Sequence, residues 1–400
     1  MRKTLVAGLV AAALAVGAAP PALARPTNTD SRDDLTPVVA PWVHASGTGF
    51  VDAAGAPVYL RGFDAIGYPA RAAALGANFV RMPVYWSDIE PAPPIAGHHS
   101  WNDAALATID DRVQALAARG INVLLDFHQS GWSSYFTALT VNAQGIPSWF
   151  YANGFFPFPA TQKGLGQARA DFFTNPAAIP YYQAFVELLV RRYRSYPNVV
   201  GYELFNEPPS GALGQNHAAT QAVIAWQAGM LRFVRSLDPE RTVFLFTRQG
   251  GDLGFLNADL SALGSLAKVA IDLHDYFVGL DGPYGYSADT ETWYPSDTAT
   301  HVQFETAYAG TYANQLRLID RVLARTNAWN VPLLVGEWGA RLDDPGLLRY
   351  QQDMLAVFRA RRLSWTRWML TNNSALGILN ADGSNSAAAL QIQNDLAVPY

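Results

Sequence analysis

Two glutamates stand where apolar runs end. In Val199-Val200-Gly201-Tyr202-Glu203-Leu204-Phe205-Asn206-Glu207-Pro208, a buried-strand pattern runs straight into Asn-Glu-Pro. Pro208 has no backbone N–H, so it stops the ladder and leaves Glu207 just beyond it. In Leu333-Leu334-Val335-Gly336-Glu337-Trp338-Gly339, a second such run ends in Glu337, with glycines that leave room beside it. Two carboxylates facing one cleft are what a retaining glycosidase needs: carboxyls ~5–5.5 Å apart, one a nucleophile and one an acid/base. Like charges at that distance raise one pKa, so that group keeps its proton. A lone strand-end glutamate is more often a salt-bridged rim residue. Two of them on strands of matching position turn the reading towards chemistry.

Other runs end in groups of the same kind. Val80-Arg81-Met82-Pro83, Leu125-Asp126-Phe127-His128 and Asp272-Leu273-His274-Asp275-Tyr276 bring an arginine, two histidines and a tyrosine to successive strand ends, and Trp365-Thr366-Arg367-Trp368 lies in a last strand. A single such histidine is ordinarily a satisfied structural group. A metal-dependent hydrolase built on His128, His274, Asp126 and Asp275 is a competing reading, but the His-x-His pair usual at the first strand is missing, and Asp64 stands there instead. With no cysteine there is neither a thiolate zinc site nor a cysteine nucleophile, and no disulfide framework.

These groups need elements to hold them. Eight strand candidates lie at 58–62, 79–83, 122–126, 199–204, 243–246, 269–272, 333–336 and 364–369. Several are continuous apolar runs, as expected of strands covered on both faces. Between them run helical stripes: Leu106, Ile109, Val113 and Leu116 ahead of Gly120; Tyr182, Phe185, Val186, Leu189 and Tyr193 ahead of Pro197; and Leu316, Ile319, Val322 and Leu323. Eight β–α units predict a closed (β/α)8 barrel, an α/β fold in a single TIM barrel. An open doubly wound sheet would carry a Gly-rich phosphate turn after its first strand, and Arg61-Gly62-Phe63-Asp64 is not one. Two long βα loops, 129–180 after strand 3 and 275–313 after strand 6, are rich in aromatics. Phe155, Phe156 and Phe158 read more readily as loop packing than as the lining of a ligand site.

The chain has 400 residues, 50% of them hydrophobic and 15% charged, and a net charge of −5, which excludes a disordered chain and the basic footprint of a nucleic-acid binder. Arg2 and Lys3, a run of 15 small and apolar residues at 5–19 and Ala22-Leu23-Ala24 read as a secretory signal peptide over 1–24, cleaved near Ala24. The run is too short for a bilayer span, which needs ~20 residues. A flexible arm is expected over 25–40 and a catalytic domain over 41–400, with no stable membrane insertion and a monomeric state.

Taken together, the strand ends resemble glycoside hydrolase family 5, the cellulase-like retaining β-glycosidases of the (β/α)8 clan, over roughly residues 41–395. Arg81–Trp86, Asp126–Gln129 and Glu203–Pro208 also resemble the endoglycoceramidase-like branch. The resemblance implies Glu207 as acid/base and Glu337 as nucleophile. It further implies Asn206 on the sugar 2-hydroxyl, Arg81 keeping Glu337 ionised, Tyr276 donating to the nucleophile and His274 supporting the acid/base. His128 would contact sugar hydroxyls and Trp368 would form a hydrophobic platform. The first strand departs from the family, whose usual Gly-x-Asn is here Gly62-Phe63-Asp64.

The expected protein is a secreted hydrolase of a β-glucan or related β-glycoside that needs neither metal nor organic cofactor. Its partner is a carbohydrate or glycoconjugate substrate. The alternatives are a hydrolase of glycolipids and, in a different class, a non-catalytic carbohydrate-binding barrel.

Overall fold

The computed structural model describes residues 37–140, 143–152, 155–209, 211–213, 217–246, 258–276, 286–287, 292–293, 312–344 and 346–400. Eight strands form the centre: β1 (Arg61–Asp64), β2 (Phe79–Tyr85), β3 (Asn122–His128), β4 (Val199–Glu203), β5 (Thr242–Leu245), β6 (Val269–Asp275), β7 (Leu333–Trp338) and β8 (Ser364–Arg367). All neighbours pair in parallel, and β8 pairs with β1, so the sheet is a closed barrel and not an open one. Nearly every strand residue is buried. That is why these segments read as unbroken apolar runs: helices cover the outside and the barrel fills its own interior.

Besides the single turn Trp86–Ile89, the described helices are α1 (Pro69–Ala74), α2 (Asp103–Ala117), α3 (Gln162–Thr174), α4 (Ile179–Tyr193), α5 (His217–Leu237), α6 (Tyr312–Trp329), α7 (Leu347–Arg361) and, after β8, α8 (Ala387–Leu396). Helix α2 starts where Asn102 Oδ1 accepts the Ala105 N–H at 3.2 Å, and it buries Leu106, Ile109, Val113 and Leu116. Gly120, at φ +68°, turns the chain out of α2 towards β3. Helix α4 buries all five residues of its predicted stripe.

The barrel interior is layered. Its floor is apolar: Leu60, Phe79, Leu124, Val200, Phe244, Ala270 and Leu334 form one cluster with Val43, Ala45 and Phe50. The last three come from an antiparallel hairpin, Val43–Ser46 with Gly49–Asp52, that packs under the strands. Phe50 stacks on Phe244 at 5.9 Å between ring centres, and the Ala45 N–H donates to Thr242 Oγ1 at 2.8 Å. Above this floor, facing the C-terminal ends of the strands, lies a layer of buried charge: Asp64, Arg81, Asp126, Glu203 and Asp272.

The first predicted strand, 58–62, is displaced. Asp52 Oδ1 accepts the N–H groups of Ala54 and Ala56, each at 2.9 Å, and folds Pro57–Val58 back onto Gly49–Asp52 as a third short strand. The barrel strand therefore starts only at Arg61. Residues 37–40, the end of the expected arm, have no regular structure, but the Val39 N–H donates to the Arg194 carbonyl at 2.9 Å.

The loop after β3 carries structure of its own. Gly131–Ser133 pairs with Gln144–Ile146, and α3 follows. Trp132, Trp149, Phe150, Tyr151, Phe172 and Phe173 are buried among one another and against Trp86, Phe205 and Trp226. Phe156 stacks on Phe150 at 4.6 Å, Phe155 meets Trp149 edge-on at 5.5 Å, and Phe158 meets Tyr151 at 6.2 Å. These three rings pack the loop. In the loop after β6, Phe277, Tyr284, Tyr294, Phe304 and Tyr308 lie outside the described residues.

Candidate active site

The C-terminal ends of six strands converge on one cleft. Arg81 lies in β2, His128 ends β3, Asn206 and Glu207 follow β4, His274 lies in β6 with Tyr276 just after it, Glu337 lies in β7, and Trp368 follows β8. The structure brings all eight of these residues together.

Arg81 is the hub, fully buried. Its Nη1 donates to Asp64 Oδ1 at 3.0 Å and to Glu337 Oε1 at 2.8 Å. Its Nε and Nη2 donate to the two oxygens of Glu203 at 2.7 and 3.0 Å, and Nη2 also reaches Asn206 Oδ1 at 2.8 Å. Asp126 Oδ2 lies 3.1 Å from Nη2 and Asp272 Oδ2 3.4 Å from Nε. Only the planar guanidinium fork can serve so many acceptors at once. Gly336 makes the crowding possible: a Cβ there would sit 2.2 Å from both Asp272 oxygens, and its own N–H donates to Asp272 Oδ1 at 2.8 Å.

One cation cannot neutralise five carboxylates, so their protonation divides. Burial pushes Asp64 and Glu203 well above the usual carboxyl range, against the pull of Arg81. Asp126 is also buried, but Arg81 and His128 together draw it down. Arg81 itself is held firmly charged, because the carboxylates outweigh its own burial.

Two facing glutamates sit above this layer. Glu207 Oε1 lies 2.8 Å from His274 Nδ1, and Glu337 Oε2 lies 3.4 Å from the same nitrogen. Oxygens of the two carboxylates fall within 4.8 Å of each other. The Glu207 side chain keeps 24% of its surface exposed while that of Glu337 keeps 6%. The Tyr276 hydroxyl donates to Glu337 Oε2 at 2.9 Å. Burial and the neighbouring glutamates raise the phenol well above its ordinary range, so it stays a donor.

The protonation of this pair runs against the simple expectation. Burial raises Glu337 in spite of His274 and Arg81. Glu207 is drawn down in spite of burial, by its hydrogen bond to His274 and by the charge of that ring. His274 is raised well above an ordinary imidazole: burial opposes its charge, but Glu337, Asp272 and Glu207 outweigh it. His274 is thus biased towards its protonated form beside Glu207, while on Glu337 burial outweighs the opposing pull of His274 and Arg81.

The opposite wall is aromatic. His128 Nδ1 is 2.5 Å from Asp126 Oδ2, which fixes the proton on Nδ1 and leaves Nε2 as an acceptor, 3.3 Å from Asn206 Nδ2. The His128 ring stacks on Trp368 at 5.4 Å, with the planes 11° apart. Asn206 Oδ1 is taken by Arg81, so its amide turns Nδ2 towards His128 and towards the Gln129 carbonyl at 2.9 Å.

Among the described residues, the carboxylate and histidine sets whose donor atoms converge are Glu203–Asp272–His274 and Glu207–His274–Glu337. The competing metal set of His128, His274, Asp126 and Asp275 is not one of them, and Glu203 and Asp272 already face Arg81.

Glu203 and Asp272 also belong to the site, and their position beside strand-end residues does not single them out. Their signal is an acid embedded in an apolar strand, which has to face inward and be paired. Gln129 is a further member whose contacts are to backbone and leave no pattern in the chain.

An eight-stranded α/β barrel with two glutamates and a histidine at the C-terminal ends of its strands is an enzyme-type barrel in architecture. The sequence places it further: residues 51–374 match the profile described as Cellulase (glycosyl hydrolase family 5), and the chain belongs to that family. It is 25% identical over 237 residues to mannan endo-1,4-beta-mannosidase 7 of Oryza sativa subsp. japonica, covering 54% of this chain and 56% of that protein. It is 28% identical over 200 residues to mannan endo-1,4-beta-mannosidase 3 of Arabidopsis thaliana, covering 48% and 45%. The chain thus spans about half the length of these relatives. Among solved structures it shares its fold with an endogalactoceramidase (TM-score 0.67, 19% identity, 90% of this chain and 85% of that one). It shares it also with endo-glycoceramidase II from Rhodococcus sp. (TM-score 0.64, 21% identity, 86% and 80%).

Asp64 gives a direct test of the charged layer. Its native pKa lies above the unfolded value of ~3.9. Its contribution to stability is therefore full below that value and is lost as pH rises through the native pKa. Asp64→Asn keeps the oxygen facing Arg81 and removes the ionisation. Thermal melts at pH 4.5 and pH 8 should show the variant gaining about 2–4 °C on the native protein across that interval. A variant that instead loses ground at pH 8 would show that Arg81 holds Asp64 ionised.

Proposed function

We propose that this protein is a secreted, monomeric retaining hydrolase of a β-glucan or related β-glycoside, with Glu207 as acid/base and Glu337 as nucleophile. The observation that carries this reading is the approach of the two carboxylates to within 4.8 Å at the cleft. Such a close approach supports a retaining arrangement, in which the two carboxyls stand ~5–5.5 Å apart and one forms a covalent intermediate. Family membership and the mannan-named relatives support a β-linked polysaccharide as substrate.

In this mechanism a sugar lies along the His128–Trp368 wall. A sugar hydroxyl can replace the 3.3 Å contact between Asn206 Nδ2 and His128 Nε2, accepting from the amide and donating to the imidazole. Glu337, ionised and held by Arg81 and Tyr276, attacks the anomeric carbon. The bond to the leaving oxygen breaks, and Glu207 gives that oxygen its proton. An aglycone seated over Glu207 strips water from its exposed edge, which raises its pKa and draws a proton across 2.8 Å from His274. Water then gives a proton to Glu207 and displaces Glu337, releasing the sugar with retained configuration.

A second reading, a glycolipid headgroup as substrate, is favoured by the extent of the fold match, which reaches 90% of this chain in the endogalactoceramidase. A screen over β-glucans, β-mannan, aryl β-glycosides and glycosphingolipids, with product anomers followed by NMR, separates the two readings. Glu337→Ala and Glu207→Ala should each remove nearly all turnover on the best substrate while circular dichroism stays native. Near-normal activity in either one rejects its assigned role. Native sugar binding with no turnover on any member of the panel would point to a non-catalytic barrel.

The kcat/KM profile should be bell-shaped. The acid limb follows deprotonation of Glu337 and should lie above pH 4.5, since burial raises that group. The alkaline limb follows loss of the proton shared by His274 and Glu207 and should lie above pH 6.5. Both limbs below these marks would contradict the assignment.

Export rests on the 1–24 signal. Protein recovered from culture medium should begin at Arg25, read by intact mass. An unprocessed Met1 or retention in the cell would reject it.

A further inference from the structure

Glu207 adopts a backbone conformation that glutamate does not choose. Its φ is +41°, in the left-handed region that β-carbon sterics disfavour. Something outside the turn has to hold it there, and one side chain is placed to do so. Gln129 Nε2 donates to the Asn206 carbonyl at 3.2 Å and to the Glu207 carbonyl at 3.0 Å. Gln129 Oε1 accepts the Trp132 N–H at 3.0 Å. Both ends of the amide are engaged, so its orientation is fixed. The backbone answers in kind, since the Gln129 carbonyl accepts Asn206 Nδ2 at 2.9 Å. Three hydrogen bonds thus tie residue 129 to the two residues that carry the cleft's amide and carboxyl.

Gln129 cannot drift. It is 2% exposed, and Gly145 presses on it from the paired strands of the first long loop. Gly145 has φ +134°, and a Cβ there would stand 2.5 Å from Gln129 Cβ and 2.7 Å from its Cα. Only a glycine lets the loop back this residue so closely.

We propose that Gln129 is a positioning residue for the acid/base: its amide clamps the Asn206–Glu207 turn and so aims the Glu207 carboxyl at the leaving oxygen. The inference rests on the role proposed above for Glu207 and adds the group that sets its direction. Gln129 touches neither substrate nor reacting atoms. A clamp of this kind governs proton delivery and leaves the nucleophile's geometry to Arg81 and Tyr276.

That division supplies the test. Acid assistance matters for a poor leaving group and little for one that departs as a stable anion. The probes are the methyl and 2,4-dinitrophenyl β-glycosides of cellobiose and mannobiose, measured as kcat/KM in the native protein, Glu207→Ala, Gln129→Met and Gln129→Glu. Gln129→Met keeps the length and loses all polar contacts. Gln129→Glu keeps the length and an acceptor for Trp132, guarding against a folding defect in the first variant. Each Gln129 variant should lose about 10–100-fold on the methyl glycoside, part of the 10²–10⁴ that a general acid supplies. The loss on the dinitrophenyl glycoside should be at least tenfold smaller. Equal losses on both probes, or none on either, while Glu207→Ala shows the leaving-group dependence, overturn this inference alone. No turnover by the native protein of these probes or of any member of the panel above, or a leaving-group-independent loss in Glu207→Ala, overturns the reading of the site and this inference with it.

Discussion

A single guanidinium surrounded by carboxylates is the constraint on which the rest of the structure depends. Arg81 faces Asp64, Asp126, Glu203, Asp272 and Glu337, all within 3.4 Å of its nitrogens. Isolated charges of this kind are very costly to bury, and pairing repays the cost only when the hydrogen bonding is good. The fork of Arg81 meets that condition by spreading its donors over neighbouring strands. It also pins those strands to one another at the level where the cleft begins. The cleft inherits its geometry from this layer: Glu337 and Asn206 are both held from below by the same side chain.

The layer holds more acid than cation. If every carboxylate were charged, the layer would repel itself. The fold instead sorts them, with Asp64 and Glu203 favouring their protonated forms and Asp126 its ionised one. His274 supplies a second cation at the level of Glu207 and Glu337. Arg81 and His274 among six acids make proton placement a property of the whole cluster.

Much of this was legible in the chain. Strand runs such as Val199–Glu203 and Leu333–Trp338 read directly because both faces are covered, and Pro208 marked where the first of them had to end. The barrel followed from eight such runs alternating with helical stripes. Seven of the eight site residues lie at or just past strand ends, which is where a barrel exposes side chains to its mouth, while Arg81, third in β2, sits below them. The first strand was misplaced because Asp52 folds Pro57–Val58 into a separate small sheet, a side-chain contact that no periodicity announces. The floor hairpin was missed for a similar reason: its partner, Phe244, lies far along the sequence. Gln129 was invisible because its targets are carbonyls, which every residue has. The direction of the Glu207 and Glu337 shifts also lay beyond the sequence, since it is decided by where one imidazole sits between them.

The floor has a further consequence. Val43, Ala45 and Phe50 seal the barrel from beneath with side chains no more than 4% exposed. The described floor is thus closed by apolar side chains, and the charged layer lies towards the cleft, where the Glu207 side chain keeps 24% of its surface exposed. A ligand seated over that edge would shield the acids beneath it from water and slow the exchange of their protons for as long as it stays.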